Sequence, residues 1–258
     1  MEKSFRTVAL IPARSGSERI KNKNIQLLDG HPLLAYTIRA AIDSNIFDEV
    51  IVATDSEQYS EIARYYGAST PYHRPSELSG ALSPDFEWVR WVLDALANDG
   101  EEFDIFSILR PTSPFRLATT IQRAWDEFSS FREIDSIRAV QKCAEHPGKM
   151  WILGKNNMTP LLPFNVNGTP WHSNQYKSLP EVYVQNASLE IAWSRVLTEF
   201  RSIAGEQIAP FVTSEHEGFD INNEVDMYLA QKFVRDGMAT LPEVLMEPYK
   251  SVKAKNNG

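Results

Sequence analysis

A short stretch of basic and hydroxyl residues near the start of the chain has the composition of a phosphate-binding loop. It follows the apolar residues 8–11. Residues 13–24 hold a single acid, Glu18, and the four cations Arg14, Arg19, Lys21 and Lys23. Gly16 lies between two serines, where the backbone can turn tightly and present N–H groups to an anion. The whole protein carries a formal net charge of −8, so this local reversal of sign indicates a polyphosphate site. A solvated basic loop is the alternative that composition alone leaves open.

Two familiar phosphate-binding motifs do not fit this stretch. A Walker loop requires GxxxxGK followed by Ser or Thr, and a dinucleotide fingerprint requires GxGxxG at the start of a helix. Residues 8–24 contain neither pattern. Both classes of phosphate loop are therefore excluded here.

Apolar segments alternate with amphipathic ones along the chain, and this alternation predicts an α/β fold. Strands are predicted at residues 8–11, 49–54, 69–72, 103–109, 136–140, 181–193 and 207–212. Helices are predicted at residues 31–44, 57–66, 85–97, 117–128 and 224–236. Strands and helices in this order build a mainly parallel sheet with right-handed crossovers.

The predicted sheet brings several polar loops to one edge. Ligands of such sheets bind at the carboxyl ends of the strands. The basic loop, residues 73–75 and residues 110–116 all follow predicted strands, so we expect them to share one rim. The sequence also predicts two helix N-caps, Asp55-Ser56 before residue 57 and Ser83-Pro84 before residue 85.

Regular patterns fade between residues 142 and 179. This stretch is rich in Gly, Pro and Asn and contains Trp151 and Trp171. We interpret it as an insertion into an α/β domain formed by residues 1–141 and 180–250, followed by a polar tail at 251–258. Exposed tryptophans in an insertion indicate a partner surface, and a loop folded back on its own domain is the alternative.

Size, charge and cysteine content exclude several classes of protein. A chain of 258 residues, 43% hydrophobic and 23% charged, can bury a substantial core. Its negative charge argues against nucleic-acid and anionic-membrane partners. It has no apolar run of membrane-spanning length and no signal-peptide h-region. The single cysteine, Cys143, excludes an intrachain disulfide and suits a reducing compartment. We therefore expect a cytoplasmic protein.

The basic loop resembles the signature of a known family. Residues 12–24, PARSGSERIKNKN, are similar to PARxGSxxIxxKN of the acylneuraminate cytidylyltransferases, which activate sialic-acid-like sugars with CTP. The matching residues are Pro12, Ala13, Arg14, Gly16, Ser17, Ile20, Lys23 and Asn24. The resemblance extends from residue 8 to about residue 229. It implies a Rossmann-like nucleotidyltransferase fold, with residues 142–179 as a dimerisation insertion and a homodimeric assembly.

The resemblance also implies roles for the basic loop and for the acidic segment near the other end of the chain. The implied nucleotide-binding residues are Ala13, Arg14, Ser17, Lys23, Asn24, Arg74 and Asp85. Asp220 and Asn222 align with the family's DID motif, which implies that they hold Mg²⁺. Residues two apart on an extended segment point the same way, so both can reach one ion. Asn222 replaces the family's second acid, which weakens the expected metal binding.

Two further segments are similar to family motifs that contact the sugar. Residues 110–116, RPTSPFR, resemble QPTSPxR, and residues 179–190 follow LPxxYxxNGAIY. The implied substrate-binding residues are Arg110, Thr112, Ser113, Lys177, Asn186 and Glu190. Arg110 stands where the family has Gln, and Glu190 where it has an aromatic residue. An arginine that usually precedes the second motif is missing, so Lys177 and Arg110 are the candidates to supply its charge.

The function implied by the resemblance is transfer of CMP from CTP to a nonulosonic α-keto acid sugar, with release of pyrophosphate. Arg14, Lys23 and Asp220 would be the catalytic residues. Two alternatives stay open: a shifted acceptor such as a sugar phosphate or phosphonate, and a nucleotide-binding homologue impaired by Asn222. Asp85, which can accept from cytosine or from guanine, leaves the nucleobase open as well.

Overall fold

The computed structural model describes residues 5–250 except Glu18, Ala81, Arg132 and the side chain of Ala187. Contacts divide the described chain into two units, one within Met1–Ala139 and Asn186–Gly258 and the other Val140–Gln185. The second unit contains the whole of the stretch 142–179 that we interpreted as an insertion.

The secondary structure follows the predicted alternation in the first unit. The described strands are β1 (Thr7–Pro12), β2 (Leu27–Leu28), β3 (His31–Pro32), β4 (Glu49–Ala53), β5 (Ile105–Ile108), β6 (Ser136–Lys142), β7 (Trp151–Leu153), β8 (Met158–Pro160), β9 (Asn165–Val166), β10 (Thr169–Pro170), β11 (Tyr183–Trp193) and β12 (Ile208–Val212). The described α-helices are α1 (Leu33–Asp43), α2 (Glu57–Tyr65), α3 (Asp85–Asn98), α4 (Ala118–Ser130), α5 (Val196–Glu199) and α6 (Glu224–Arg235). None of these helices is long and apolar enough to cross a membrane.

A mixed sheet forms the centre of the first unit. In the described chain its strand order is β12-β6-β11-β5-β1-β4. β1 pairs in parallel with β4 and β5, whereas β11 pairs antiparallel with β5. The predicted α/β fold with parallel central strands is confirmed, and β11 adds a reversed strand to it. The predicted strand at 69–72 is replaced by isolated bridges, Ile51 to Ser69 and Thr54 to His73.

Alternate residues of β1 enter two different cores. Val8 and Leu10 pack with α3, while Ala9 and Ile11 pack with α1, α2 and α4. All four side chains are fully buried. Because side chains alternate between the faces of a strand, residues 8–11 of β1 are covered by helices on both sides. This burial explains why residues 8–11 form an uninterrupted apolar run.

The helix boundaries agree with the prediction to within a few residues, but one of the two predicted N-caps is wrong. Ser56 caps α2 by accepting from the N–H of Tyr59 at 3.4 Å. The predicted Ser83 cap of α3 is wrong: Pro84 takes the N-cap position, and the Ser83 hydroxyl donates to the Glu77 carbonyl at 3.1 Å. α3 has no capping side chain, and its first turn carries the acids Asp85 and Glu87.

The second unit is made of short hairpins and single 3₁₀ turns. β7 pairs with β8, and β9 with β10, all antiparallel. Its interior is built around His146, which is buried, accepts from the Gly148 N–H at 2.9 Å and packs against Trp171. Trp151, by contrast, is 37% exposed. Trp171 is half-buried, so both tryptophans of the predicted partner surface are at least partly accessible.

Gly205, in the loop before β12, packs closely against the side chain of Asp135. Its φ is +71°, and a Cβ there would overlap the side chain of Asp135. Gly237 has a similar φ of +66° but open space around the Cβ position. We expect Gly237→Ala to cost only the left-handed backbone penalty, about 1–2 kcal/mol. Gly205→Ala should cost clearly more in the free energy of unfolding measured by urea denaturation. Equal losses for the two variants would show that Asp135 yields freely.

Candidate functional site

Four segments of the first unit meet around one cavity of about 610 Å³. They are the loop after β1, the segment between β4 and α3, the loop after β5 and the turn before α6. The lining residues are Pro12, Arg14, Ser17, Arg19, Ile20, Lys23, Asn24, Arg74, Gly80, Leu82, Ser83, Asp85, Trp88, Arg110, Pro111, Thr112, Asp220 and Asn222. The three loops expected to share a rim are thus together, at the carboxyl ends of adjacent parallel strands.

Positive charge predominates in the cavity. The charged lining residues are the cations Arg14, Arg19, Lys23, Arg74 and Arg110 and the acids Asp85 and Asp220. Among the described lining residues, five cations face two acids in a protein whose overall charge is −8. A cleft lined mainly by one sign of charge concentrates ligands of the opposite sign. The cavity is therefore suited to a polyanion such as a nucleoside triphosphate.

The basic loop is held in shape by one acid outside it and by contacts within it. Asp55, directly after β4, accepts from the Ser15 backbone N–H at 2.8 Å and from the Ser15 hydroxyl at 3.2 Å. Asn24 is buried and donates to the Arg14 carbonyl at 3.2 Å. The N–H of Ser17 donates to the Ser15 carbonyl at 3.0 Å, so the expected tight turn at Gly16 forms. That N–H is consequently not one of those left free for an anion.

Burial lowers the pKa values of two cations in the cavity. Burial lowers the pKa of Lys23, and the charges of Arg19 and Arg14 add to this effect, while Asp220 opposes it. Burial also lowers the pKa of Arg74, to about 10. Arg74 lies over the ring of Trp88 at 5.1 Å and donates to the Leu78 carbonyl. An incoming anion would relieve the cost of burying both cations.

Arg110 is the centre of an ion-pair chain at one wall of the cavity. Its guanidinium donates to Asp85 and, at 3.0 Å, to Glu190, which is also 3.3 Å from Arg138. Glu190 is only 2% exposed. Burial would lower the pKa of Arg110, but Glu190 and Asp85 outweigh it, so the pKa lies above its ordinary value. Arg110 is thus largely neutralised by its own neighbours.

Arg116 holds the loop after β5 by a different means. It is buried, and it donates to the carbonyls of Arg110 and Ser188 and, at 2.9 Å, to the Thr37 hydroxyl. Within the described chain no acid pairs with it, and burial followed by the charge of Arg110 lowers its pKa to about 9. Its contacts fix the backbone from which Arg110 and Thr112 project.

The turn before α6 presents one carboxylate to the cavity. Ile221 is buried with Ile20 and Phe115, and its N–H donates to the Thr112 carbonyl at 2.9 Å. Asp220 and Asn222, on either side of it, both line the cavity. This alternation is what an extended segment gives.

The donor set of this turn fits a hard divalent cation. Asn222 donates its side-chain amide to Asp220 Oδ2 at 2.6 Å, while Asp220 Oδ1 is buried with no partner in the described chain. A buried, unpaired carboxylate oxygen is costly, and a cation removes that cost. Carboxylate and amide oxygens are ligands that Mg²⁺ accepts. The described residues hold no group of three His, Cys, Asp or Glu side chains placed for a metal, so further ligands would come from substrate or water.

The structure separates the predicted site residues into two sets. Those that line the cavity are Arg14, Ser17, Lys23, Asn24, Arg74, Asp85, Arg110, Thr112, Asp220 and Asn222. The others lie elsewhere: Ala13 is buried in the core, Ser113 is buried in the loop after β5, and Asn186 donates to the Thr213 hydroxyl at 2.9 Å. Glu190 reaches the cavity only through Arg110. Lys177 is exposed in a 3₁₀ turn of the second unit.

Several residues at the site were not among the predicted site residues. Arg19 and Trp88 line the cavity. Asp55 and Asp226 accept from the backbone N–H groups of Ser15 and Asn222, and Arg138 pairs with Glu190 behind Arg110. Asp55 had a usable signal, since an acid directly after a buried strand lies at the ligand edge of a parallel sheet. Arg138 had none, because its pairing depends on the neighbouring strand.

Comparison with known proteins agrees with this geometry. A family model described as "Cytidylyltransferase" matches residues 8–128. The solved structure of a CMP:2-keto-3-deoxy-manno-octonic acid synthetase complexed with CTP superposes with a TM-score of 0.63, covering 90% of this chain and 99% of that one at 11% identity. The fold is therefore that of the nucleotidyltransferases.

Curated relatives narrow the class. The chain is 33% identical over 223 residues to the N-acylneuraminate cytidylyltransferase of Escherichia coli, covering 86% of this chain and 51% of that protein. It is 32% identical over 235 residues to the CMP-N,N'-diacetyllegionaminic acid synthase of Legionella pneumophila, covering 89% of this chain and 97% of that protein. It thus spans about half of the first relative and nearly all of the second. The chain belongs to the acylneuraminate cytidylyltransferase family.

The ion-pair chain at Arg110 predicts an unusual stability cost. Glu190→Gln removes the charge that separates two guanidinium groups, and breaking a buried pair from one side costs about 3 kcal/mol or more. Glu199→Gln is the matched control, because its pair with Arg195 is exposed on both sides and should contribute about 0.5 kcal/mol at most. Unfolding in urea measures both. A Glu190 variant as stable as the Glu199 variant would mean that solvent, not Glu190, compensates Arg110.

Proposed function

We propose that the protein transfers CMP from CTP to the anomeric hydroxyl of a nonulosonic, sialic-acid-like sugar acid and releases pyrophosphate. The observation that carries the proposal is the cavity in which Arg14 and Lys23 of the basic loop face Asp220 across one ligand-sized space. The names of the two relatives described above, one matched over 97% of its length, support the base and the class of acceptor.

The reaction asks little covalent chemistry of the protein. The hydroxyl oxygen of the sugar bonds to the α-phosphorus of CTP, the bond to the bridging oxygen breaks, and pyrophosphate leaves with the electron pair. The hydroxyl proton passes to solvent. Catalysis of this kind depends on alignment and on stabilising the charge that develops on phosphate oxygens. Arg14 and Lys23 would bind that charge, with Arg74 and Arg19 adding to the field of the cavity.

We propose Mg²⁺ as the cofactor, held by Asp220 and Asn222. When bound, such an ion would neutralise phosphate oxygens and orient the triphosphate. The unpaired Oδ1 of Asp220 supports this assignment. With Asn222 in place of a second carboxylate, Asp220 supplies the negative charge of the turn, and it also interacts electrostatically with Lys23.

The acceptor would lie against Arg110 and Thr112. Arg110 offers the donors that a sugar carboxylate needs, in an orientation set by Asp85 and Glu190. The other predicted substrate-binding residues do not line the cavity. They would support Arg110 and Thr112 from behind: Ser113, Asn186 and Glu190. Lys177, in the second unit, stays a predicted substrate-binding residue. Asp85 already accepts from the Trp88 indole at 2.7 Å and from Arg110, so any contact with a cytosine amino group would use a remaining lone pair.

Pyrophosphate release tests the function directly. With Mg²⁺ and CTP, and with sialic, legionaminic, pseudaminic and octulosonic acids offered in turn, we expect release with one of the nine-carbon acids. Lys23→Ala should lower kcat/KM by about 100-fold or more, as loss of one charge-stabilising donor does. Lys21→Ala is the control, since Lys21 is exposed in the same loop and is not among the residues that line the cavity. Equal losses for the two variants would remove Lys23 from the proposed mechanism.

If no acid gives pyrophosphate release, one of the two alternatives, the shifted acceptor or the impaired homologue, is favoured. Release with a sugar phosphate or phosphonate would establish the shifted acceptor. Release only after Asn222→Asp, with CTP bound by both proteins, would establish the impaired homologue. Release with GTP and not with CTP would overturn the assigned base.

We propose that the second unit mediates a homodimer and that the protein acts in the cytoplasm. Three neighbouring apolar side chains in the β7–β8 hairpin support the dimer: Ile152, Leu153 and Met158 are all more than half exposed. Wild-type protein should sediment with the mass of two chains and Leu153→Asp with the mass of one. If Leu153→Asp is still a dimer, the interface lies elsewhere.

The single cysteine supports the proposed cytoplasmic location, because the cytoplasm is a reducing compartment. Cell fractionation tests this location.

A further inference from the structure

The carboxylate of Asp226, in the first turn of α6, is bound to the turn that precedes the helix. Its Oδ2 accepts from the backbone N–H of Asn222 at 2.8 Å and from that of Asn223 at 3.0 Å. Asn223 in return accepts from the N–H groups of Val225 and Asp226, at 2.8 and 3.1 Å. This reciprocal arrangement is a capping box, which satisfies the otherwise free N–H groups at a helix start. One of the N–H groups it takes belongs to Asn222, which also lines the cavity.

That N–H group has a second potential acceptor in the chain. An Asp side chain readily accepts from the N–H two residues further on, forming an Asx turn. For Asp220 the N–H in question is that of Asn222, which Asp226 already occupies. Asp220 Oδ1 is accordingly left without a partner in the described chain, while Oδ2 is held by the Asn222 side chain. The capping box therefore keeps Asp220 from folding back onto its own backbone.

We propose that Asp226 is a positioning residue, which keeps the Asp220 carboxylate free to take a divalent cation by occupying the Asn222 N–H. This inference rests on the proposed function, since the cation is the one that reaction would use. It also separates two roles for the acids of this segment. Asp220 would touch the ion, and Asp226 would act on it only through the backbone.

Binding of Mn²⁺ to the complex of the protein with CTP tests the proposal without relying on turnover. Electron paramagnetic resonance gives the free Mn²⁺ concentration, and Asp226→Ala should bind Mn²⁺ about 10- to 100-fold more weakly, as loss of a residue that orients a ligand typically does. Asp226→Asn keeps an oxygen that can accept from the N–H groups, so it should bind within about threefold of wild type. Glu224→Ala removes the same charge from the same exposed turn and should bind like wild type.

Each other result would count against the positioning role. If Asp226→Asn loses as much affinity as Asp226→Ala, the charge of Asp226 matters and its position does not. If Glu224→Ala weakens binding equally, the effect is general to the helix start. If Asp226→Ala also loses CTP affinity in EDTA, the residue merely supports the fold of the site.

The outcome is separable from that of the proposed function. Wild-type protein that binds Mn²⁺ and CTP but transfers CMP to no acid would refute the reaction, while the Asp226 comparison would still decide the positioning role. Wild-type protein that binds no Mn²⁺ in the presence of CTP would overturn the metal assignment and this inference together.

Discussion

Burial of β1 on both faces is the constraint on which the rest of the structure depends. Its side chains alternate between two cores, and its backbone pairs in parallel with β4 and β5 on either side. The carboxyl ends of the three strands therefore lie at one edge of the sheet, and so do the loops that follow them. Residues 8–11 of this strand carry no polar side chain, and the buried Thr7 at its other end donates to the Ile46 carbonyl, so the chemistry falls to the loops that follow its carboxyl end.

Concentrating cations at that edge creates a cost that the protein meets in three ways. Arg116 is satisfied by backbone carbonyls and a hydroxyl, with no acid among its described partners. Arg110 is satisfied by carboxylates, at the expense of most of its net charge. Lys23 and Arg74 also have pKa values lowered by burial, and they line the cavity, so a bound anion can offset the cost of burying them. Cations in this position let a stable fold retain affinity for an anionic ligand.

The sequence predicted the parts of the site that depend on local pattern. The strand before the basic loop and the helix α1 follow from periodicity and composition, and the structure has both, although residues 31–32 form β3 and not the start of α1. The pair Asp220 and Asn222 was implied by the family resemblance, and both residues line the cavity. The sequence did not predict pairings across the fold. The Ser83 cap failed because the carbonyl of Glu77, six residues before Ser83, accepts from the Ser83 hydroxyl. The chain from Arg138 through Glu190 to Arg110 was invisible because its members lie on three different strands or loops and meet only through the order of the sheet.

One apolar cluster has a consequence for how the protein comes to be folded. Ile20 of the basic loop and Ile221 of the acidic turn pack in the same cluster, together with Ala230 of α6. These contacts join segments about 200 residues apart, and contacts of such long sequence separation form late and slow folding. A chain emerging from the ribosome can complete β1, α1 and β4 long before α6 exists. The cavity is therefore assembled last, and a nascent chain that already has most of its sheet has no working site until its final helix docks.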